Sequence, residues 1–301
     1  MRIAITGASG AIGSALCDAL LARGDEVVGL TRDPAKARST NPTVGWHQWE
    51  PTRERPPEEA FAGVDGVVNL VGESINQRWT DEAKRRILES RVTATRNLVQ
   101  AITALEQKPR VLVSQSAIGY YGDRGEALVD ESAAPGDGFG AEVPVEWERA
   151  AREIEGTGVR LVITRTSPVL DPDSGMLKQM LTPFKLGVGG PVGGGDQYLS
   201  WIHIDDAVAV LLWALDSEEV EGVVNASSPN PVTNRELSKT LGRVLRRPAV
   251  MPVPNFALNL MLGRELAETV MGGARVVPRR TEDLGYRFQH PQLEEALRDL
   301  L

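Results

Sequence analysis

The segment Gly7-Ala8-Ser9-Gly10-Ala11-Ile12-Gly13 has the glycine spacing of a turn that binds a dinucleotide pyrophosphate. In such a turn the first glycine permits a tight bend, the second lets the backbone approach the anion, and the third lets helix and strand pack closely. Free N–H groups at the start of the next helix would then face the phosphates. The expected contact residues are Gly7, Ser9, Gly10, Ala11, Ile12 and Gly13. The alternative is a tight turn between a strand and a helix that binds nothing.

Thr31 and Arg32, at the end of the second predicted strand, bear on which dinucleotide would bind. NAD-specific sites carry an acidic residue about 20 residues beyond the glycine turn, where it binds the ribose hydroxyls. This chain has Thr31 and Arg32 there, and a guanidinium pairs well with a 2′-phosphate. The sequence therefore favours NADP(H) over NAD. Two observations count against this interpretation: Asp33 follows immediately, and an arginine in a loop is often only a solvated charge.

Other residues fall where a substrate would lie. Glu73 follows the fourth predicted strand, at the carboxyl edge of the sheet, where it could accept a proton or cap a helix. The glycine-dense segment from Phe184 to Trp201, which includes Gly190, is typical of a substrate-side lid, and a long exposed connection is the alternative. The chain has three histidines, including His203, and one cysteine, without a cluster of the two types. We therefore expect no metal site.

A doubly wound α/β scaffold would position these residues, and the first two-thirds of the chain predict one. Apolar strand-like runs alternate with helical stretches, which is typical of a parallel sheet covered on both faces. The predicted helices include Ala11 to Ala22 and Asp137 to Ile154. The predicted strands are Arg2 to Thr6, Glu26 to Thr31, Val44 to Trp49, Gly66 to Leu70, Arg110 to Ser114, Arg160 to Thr164 and, farther along, Gly222 to Ala226.

The pattern changes after about residue 170 to Gly/Pro-rich connections and short helices. We therefore predict a Rossmann-type, doubly wound parallel sheet with a smaller C-terminal substrate lobe. The NADP-binding domain would comprise residues 1–170 and about 203–230, and the substrate-side lobe residues 171–202 and 231–301.

Charge and composition exclude several classes of protein. The 301 residues carry a net charge of -8, so the chain lacks the basic surface that nucleic acids require. No apolar run approaches the length that spans a bilayer, and the N-terminus does not look like an export signal. We therefore expect a cytoplasmic protein with no membrane partner. Cys17, the single cysteine, is predicted to be a small core residue.

Several ordered motifs resemble those of the extended short-chain dehydrogenase/reductase superfamily, in its nucleotide-sugar epimerase and dehydratase group. They are Thr6 to Gly13, Asn69 to Gly72, Ser114 to Gly122 and Trp201 to Asp206. Four further segments look like an atypical epimerase-family branch that ends in a C-terminal domain of unknown function. These are Gly72 to Ile75, Arg78 to Thr80, Ser90 to Val92 and Pro252 to Leu297. The resemblance spans nearly the whole chain.

The resemblance implies further site residues. It places Ser116 where a serine hydrogen-bonds a substrate hydroxyl or carbonyl, and His203 at a substrate-side position. Trp79 and Gly190 are assigned to the same side. The other residues assigned to the cofactor are Leu70, Val71 and Gly72, beside the adenosine and ribose, together with Arg91, Ser114, Arg165 and Ser167.

The chain departs from this superfamily at its catalytic pair. A tyrosine and a lysine four residues apart normally exchange the substrate proton and hold the nicotinamide ribose. Gly140 and Pro144 take those two places here, and neither can transfer a proton. Lys84 could reach the same crevice, although a solvated charge is its simpler interpretation. The replacement catalytic candidates are Ser116, Tyr120, Tyr121 and Glu73, and each tyrosine could equally be a ring packed beside the cofactor.

Two functions stay open at this point. The first is an NADP(H)-dependent epimerase or reductase acting on a small polar carbonyl or nucleotide-sugar-like substrate. The second is a dinucleotide-binding sensor or regulatory scaffold without turnover, because a fold alone does not establish chemistry. The expected partner is a small molecule, and the resemblance adds a homodimer.

Overall fold

The chain, described from residue 1 to residue 301 in a computed structural model, forms thirteen strands and eleven α-helices. The strands are β1 Arg2–Thr6, β2 Glu26–Thr31, β3 Gly45–Gln48, β4 Gly66–Asn69, β5 Val111–Ala117, β6 Leu128–Val129, β7 Arg160–Thr166, β8 Val169–Leu170, β9 Tyr198–Leu199, β10 Ile202–His203, β11 Gly222–Ala226, β12 Val232–Thr233 and β13 Arg275–Val276. The helices are α1 Ala11–Ala22, α2 Pro34–Thr40, α3 Asp81–Ala104, α4 Phe139–Arg152, α5 Gly175–Lys185, α6 Ile204–Asp216, α7 Asn234–Leu245, α8 Asn255–Leu262, α9 Arg264–Met271, α10 Arg279–Asp283 and α11 Leu293–Leu300. Short 3-10 turns lie at Glu58–Phe61 and Ile118–Tyr121.

Seven strands form one parallel sheet in the order β11-β7-β5-β4-β1-β2-β3. They are the seven predicted strands, so the Rossmann-type fold class is confirmed. β5 continues to Ala117 and β7 to Thr166, beyond their predicted ends, because these two strands pair with each other along that extra length. The predicted strands end one residue after the apolar runs, at Ser114 and Thr164, and the sequence gave no sign of the further polar extension.

The carboxyl ends of the central strands line up at one edge of the sheet. Thr6 on β1 lies opposite Asn69 on β4, and Asn69 lies opposite Ser114 on β5. The chain leaves β1 toward one side of the sheet and β4 toward the other, which makes the gap between them a topological switch point. Ligands of doubly wound sheets bind in the crevice at such a point.

Alternating side chains of the sheet build a core on each face. Ile3 and Ile5 pack with α1 and α6, whereas Ala4, between them, packs with α3 and α4. Each fully buried Ile or Leu contributes about 1.5–3 kcal/mol to folding. Cys17 on α1 is buried in the first of these cores, as predicted.

The C-terminal third forms a separate apolar core and also returns to the sheet. Helices α5, α7 and α11 enclose a cluster that includes Leu177, Leu241 and Leu297. Farther along, Arg280 donates to the carbonyl of Val223 on β11. Residues near 280, which the sequence assigned to the lobe, thus contact the edge strand of the sheet. The predicted boundary between the sheet domain and the lobe stays a prediction. No helix combines the length and the apolar character needed to cross a bilayer.

Candidate functional site

The glycine turn after β1 leaves no room for side chains at two positions. Gly7 has a φ of +67°, and a Cβ there would lie 2.8 Å from the carbonyl oxygen of Leu70. A Cβ on Gly13 would overlap the carbonyl oxygen of Gly7. A larger residue at either position would push β1, α1 and the end of β4 apart. The glycines therefore keep three backbone segments in contact at the switch point.

Helix α1 begins at this turn without a capping side chain. Gly10 is its N-cap, and the first turn holds no acidic residue. The helix's first backbone bond runs from the Ser14 N–H to the Gly10 carbonyl, at 2.8 Å. The N–H groups of Ala11, Ile12 and Gly13 are thus left for another acceptor, in the arrangement that binds phosphate in dinucleotide folds. The structure brings all six predicted phosphate-contact residues into one turn.

Arg32 is exposed at the end of β2, beside Thr31. The neighbouring carboxylate of Asp33, which the sequence left as a competing interpretation, is the N-cap of α2. Its Oδ1 accepts the N–H of Lys36 at 3.0 Å. One oxygen of this acid is thus engaged in capping, and the exposed side chains of Arg32 and Lys36 supply two positive charges beside it.

Arg91 on α3 is a second cation without an anionic partner. A Cβ on Gly72 would lie 2.9 Å from its guanidinium carbon, which also lies 5.1 Å from the centre of the Trp147 ring. Its single hydrogen bond goes to the carbonyl of Ile87, at 3.2 Å. Burial lowers the pKa of Arg91 to about 10, although Glu73 opposes that effect. An enclosed guanidinium without a carboxylate is costly, and a phosphate group bound beside Gly72 would satisfy it.

Glu73, a predicted proton acceptor, is held by two neighbours. Its Oε1 accepts hydrogen bonds from Gln77 Nε2 at 2.9 Å and from Arg86 Nε at 3.1 Å. The bond from Gln77 and the positive charge of Arg86 together outweigh burial and hold the pKa of Glu73 below its usual range. A carboxylate stabilised in its ionised form is a weak base. Its contacts here organise the loop after β4.

Ser114 belongs to a buried network that ties the strand ends together. Thr6 Oγ1 donates to Asn69 Oδ1 at 2.7 Å, and Asn69 Nδ2 donates to Ser114 Oγ at 3.2 Å. Asn69 Nδ2 and Trp147 Nε1 also donate to Thr95 Oγ1. With 1% of its surface exposed, Ser114 positions β4 and β5 below the crevice and has no face open to a ligand.

Ser116 is held in a buried charged cluster that the sequence did not predict. Its hydroxyl donates to Glu148 Oε1 at 2.8 Å, and Arg165 donates to both oxygens of Glu148, at 2.8 and 2.9 Å. Burial alone would lower the pKa of Arg165, but its hydrogen bonds to Glu148 raise it. Ser116 is 1% exposed and its hydroxyl proton is committed to a carboxylate, so contact with a substrate would need local movement.

The two predicted tyrosines differ in their surroundings. Tyr121 donates to Asn225 Oδ1 at 2.7 Å and accepts from Arg165 Nη1 at 3.1 Å. Burial raises the pKa of Tyr121 to about 12, even with Arg165 beside it. The ring of Tyr120 lies against the same guanidinium, 3.3 Å from ring centre to Cζ. Tyr121 is thus a buried structural group, and Tyr120 is a packed ring with partial exposure.

The place of the superfamily's tyrosine is closed by other side chains. A Cβ on Gly140 would lie 3.3 Å from Thr269 Cγ2 on α9 and 3.6 Å from Trp79 Cη2. On the other side, a Cβ on Gly119 would lie 2.9 Å from the Gly140 carbonyl. Helix α4 therefore lies too close to its neighbours for a tyrosine to replace Gly140 without displacing them.

Trp79, Phe139, Lys84 and Glu265 form a wall around that position. The Trp79 and Phe139 rings meet edge to face with centres 5.0 Å apart, and Lys84 Nζ lies 5.4 Å from the Phe139 ring centre. Lys84 also forms an ion pair with Glu265 of α9. A cavity of about 380 Å³, lined partly by Trp79 and Glu265, opens beside this wall. Sequence reasoning missed Phe139, Glu265 and Thr269, because the contacts that unite them join elements distant in sequence.

The glycine-dense segment is held by backbone hydrogen bonds to the chain that precedes α8. The Val253 N–H donates to the Pro191 carbonyl and the Gly193 N–H donates to the Val253 carbonyl, both at 2.9 Å. A Cβ on Gly190 would overlap the Met251 backbone. The glycines thus admit a neighbouring backbone segment, and the interpretation of this segment as a substrate-side lid stays a prediction.

His203 and Ser167 are engaged in structural contacts. His203 is the N-cap of α6, and its Nδ1 accepts the N–H of Asp205 at 3.1 Å. Its ring stacks on that of His290 with centres 3.8 Å apart, near the carboxylate of Asp299. One nitrogen of each ring and one carboxylate oxygen each of Asp205 and Asp299 lie within 4.8 Å of one another, a grouping that could hold a metal ion. The expectation of no metal site therefore stays a prediction. Ser167 Oγ donates to another buried hydroxyl, that of Ser227, at 2.7 Å.

Two family models match this chain. Residues 3–227 match the NAD dependent epimerase/dehydratase family, and residues 253–300 match a domain of unknown function, DUF1731. Among curated relatives, an Arabidopsis thaliana protein described as an epimerase family protein SDR39U1 homolog, chloroplastic, is 38% identical over 303 residues. The match covers 100% of this chain and 87% of that protein.

Two solved structures have a fold similar to that of this chain. The crystal structure of the human epimerase family protein SDR39U1 (isoform 2) with NADPH superposes with a TM-score of 0.91 at 36% identity, covering 100% of this chain and 99% of that one. A Bacillus cereus UDP-glucuronic acid 4-epimerase, solved with UDP-glucuronic acid and NAD, superposes with a TM-score of 0.80 at 18% identity, covering 100% and 98%. The second likeness concerns the fold alone.

Proposed function

The chain belongs to the NAD-dependent epimerase/dehydratase family, and from that membership we propose that it is an NADP(H)-dependent epimerase or reductase. Its substrate would be a small polar carbonyl or a nucleotide-sugar-like compound, handled without the usual Tyr/Lys pair. The observation that carries the proposal is the free Arg32 beside an intact glycine turn, with Asp33 engaged as a helix cap. The human relative solved with NADPH supports the same cofactor.

The residues present fit this cofactor. Gly7 and Gly13 hold a cradle that any Cβ would fill, and the open N-terminus of α1 would take the pyrophosphate. Arg32 would pair with the 2′-phosphate, which NAD lacks. Arg91, enclosed without a carboxylate, would take a further anionic or hydroxyl oxygen of the cofactor. Leu70 and Val71 would line the adenosine side.

The chemistry needs a proton source on the chain. NADPH, when bound, supplies a hydride to the carbonyl carbon, and the oxygen of that carbonyl then takes up a proton. Lys84 and Glu265 are the titratable side chains of the wall around Gly140, and we assign the proton to Lys84, the hydrogen-bond donor of the two. The ion pair with Glu265 positions the Lys84 side chain beside the Trp79 and Phe139 rings. Lys84 is partly exposed, so solvent would reprotonate it after each turnover.

The cofactor assignment is tested by binding. We expect Arg32→Ala to weaken NADPH at least tenfold, the loss of about one charge-assisted ion pair, and to leave NADH almost unchanged. Arg38→Ala, an exposed arginine on α2, is the matched control and should change neither affinity. Equal losses for NADPH and NADH in Arg32→Ala would remove the argument for NADP(H).

The proton-source assignment is tested by turnover. NADPH oxidation is followed by its absorbance with a library of small carbonyls and nucleotide sugars. We expect Lys84→Met to reduce kcat about 100-fold or more with the Kd for NADPH unchanged, and Lys84→Arg to shift the pH profile of kcat upward. Wild-type kcat in Lys84→Met would exclude this role.

A second function, a dinucleotide sensor without turnover, is favoured by one specific observation. Three of the four predicted catalytic side chains, Ser116, Tyr121 and Glu73, are already engaged in hydrogen bonds within the protein. An epimerase returns its hydride and oxidises no NADPH overall, so the library products are also analysed for epimers. NADPH binding at physiological concentration, with neither NADPH oxidation nor conversion of any library member to its epimer, would select the sensor over the enzyme.

A further inference from the structure

The sequence between Arg247 and Arg264 contains no charged residue over residues 248–263, a run of sixteen. Arg246 and Arg247 precede it and Arg264 follows it. The run includes three prolines and α8, so it is too short and too irregular to span a bilayer. It also lies at the surface rather than in a core.

Helix α8 presents its apolar side chains to solvent. Phe256, Leu260 and Met261 are 75%, 73% and 71% exposed, and Leu258 is the one buried residue of the helix. Phe256 and Leu260 lie four residues apart, on one side of the helix. A surface helix of a globular protein ordinarily does the reverse and buries its apolar stripe. Side chains of this size exposed together mark an interaction surface.

Four further apolar side chains extend this surface. Leu186 and Val188 lie at the start of the glycine-dense segment, and Val250 and Met251 lie on the chain that is hydrogen-bonded to it. The Met251 N–H donates to the Gly189 carbonyl at 3.3 Å, beside the two backbone hydrogen bonds of Val253. With the three side chains of α8 they form what we call the apolar face. These seven belong to a total of twelve large apolar side chains that the whole chain exposes.

The charge around the apolar face is opposite to that of the molecule. Residues 175–195 and 235–264 contain eight Lys or Arg and one Glu, in a chain whose net charge is -8. Three of these cations, Arg235, Arg243 and Arg264, form ion pairs with acids outside the two ranges. Lys185, Arg246 and Arg247 are exposed beside the apolar face and form no ion pair, and Arg247 Nε donates to the Lys185 carbonyl at 3.1 Å. Positive charge and exposed apolar side chains thus coincide on one part of the surface.

We propose that the apolar face docks on the surface of an anionic lipid bilayer, with Phe256, Leu260 and Met261 entering the interface and the flanking arginines contacting the headgroups. Interfacial segments combine apolar insertion with basic residues in this way. A second copy of the chain would fit less well, because a symmetric contact would bring the exposed charges of Lys185, Arg246 and Arg247 of both copies together. Nucleic acid would match the charge but would leave the apolar side chains in water.

The docking requires no spanning helix, so it is compatible with the absence of one. The sequence-based expectation of no membrane partner rested on the lack of a spanning run. It stays a prediction, and docking on a lipid surface is the alternative that the test below decides. The proposal is also independent of NADP(H) binding, since neither Arg32 nor the glycine turn belongs to the apolar face.

The test is flotation of the full chain with vesicles of phosphatidylcholine alone or mixed with phosphatidylglycerol. We expect binding to the mixed vesicles at about 0.1 M salt and its loss at about 0.5 M salt. The variants Phe256→Ser/Leu260→Ser and Arg246→Glu/Arg247→Glu should each bind at least tenfold more weakly. Leu128→Ser and Arg38→Glu, exposed elsewhere, are the matched controls and should bind like the wild type.

Three outcomes would overturn the proposal. They are no binding to the mixed vesicles, equal binding by Phe256→Ser/Leu260→Ser, and a lipid-free dimer in sedimentation velocity that this same variant abolishes. The dimer would identify a second copy as the occupant. The NADPH affinity of each variant is measured in parallel; unchanged values show that the fold and the cofactor site are intact, so the two proposals fail or succeed separately.

Discussion

At the scale of a single residue, Arg91 is enclosed between Gly72 and the Trp147 ring and has no carboxylate as a hydrogen-bond partner. Such a cation lowers the stability of the free protein and gains its partner only when an anion binds. We expect Arg91→Met to leave the free energy of unfolding unchanged or slightly higher, and to weaken NADPH binding by about tenfold to 100-fold. Urea unfolding and calorimetric titration measure the two quantities.

Arg96→Met is the control for this prediction, since Arg96 lies on the same helix and pairs with the exposed Glu153. It should not alter NADPH affinity. A large loss of stability in Arg91→Met, with affinity reduced only in proportion to unfolding, would show that Arg91 is structural.

Glu148 is the centre of the buried cluster that holds Ser116 and Arg165. Glu148→Gln would remove a charge and leave Arg165 enclosed and unpaired, which costs about 3–5 kcal/mol when one partner of a buried pair is lost. We expect that decrease in the free energy of unfolding, measured with urea. Glu146→Gln, which breaks a more exposed pair with Arg149, should cost less than about 1 kcal/mol. Similar costs for both would contradict the assigned role of the cluster.

Site residues differ in how far the sequence could predict them. The glycine turn follows from local spacing, because its contacts are made within one strand, one turn and one helix. The engagement of Ser116 by Glu148 and Arg165 joins β5, α4 and β7, and no pattern in the sequence signals that three such residues meet. The cap formed by Asp33 was readable in principle, since Pro34 follows it at the first position of α2.

At the scale of elements, the strands and α1 agree with the sequence because their apolar periodicity is strong. Helix α1 begins and ends at the predicted residues, Ala11 and Ala22. The contacts of the glycine-dense segment could be predicted only in part. Its composition indicates close approach of a backbone, but composition does not say whose backbone, and the partner proved to be residues 251–253.

The N-terminus of α6 depends on a neutral histidine. Burial and the neighbouring His290 hold the pKa of His203 below its ordinary value, although Asp205, Asp206 and Asp299 favour its charged form. Because the unfolded chain then binds more protons below about pH 6.5, stability is complete above that pH and declines as the pH falls toward the lower folded pKa. A protonated Nδ1 could also no longer accept the Asp205 N–H.

We therefore predict that wild-type stability falls between pH 7 and about pH 5 and that His203→Asn reduces this slope, since asparagine keeps a capping oxygen and does not titrate. Thermal unfolding across this range measures the slope. A steeper decline in His203→Asn than in the wild type would refute the assignment.

At the scale of the whole molecule, the C-terminal segment is part of the fold rather than an appendage. Ala296 and Leu297 of α11 are fully buried against α5 and α7, and the Thr281 hydroxyl donates to the Asn225 carbonyl on β11 at 2.9 Å. The sequence predicted a lobe here from Gly/Pro content. It could not predict that residues 280–281 stabilise the edge of the sheet, because that contact joins distant parts of the chain.

We expect a chain ending at residue 252 to lose cooperative thermal unfolding, since it would expose the third apolar core and the edge of β11. Circular dichroism on heating measures this, and deletion of Leu301 alone, an exposed residue, should leave the transition unchanged. A sharp transition in the shortened chain would show that residues 1–252 fold independently.

The buried thiol of Cys17 can be used to measure the opening of α1. Its thiol is buried on α1, near the carbonyl of Ala8 in the glycine turn, and burial raises its pKa to about 12. As the chain's single cysteine, it can react with a thiol reagent only when α1 separates from the sheet. The rate of labelling therefore measures how often that one helix opens. A ligand that binds the glycine turn and holds α1 against the sheet would slow the labelling without contacting the Cys17 sulfur.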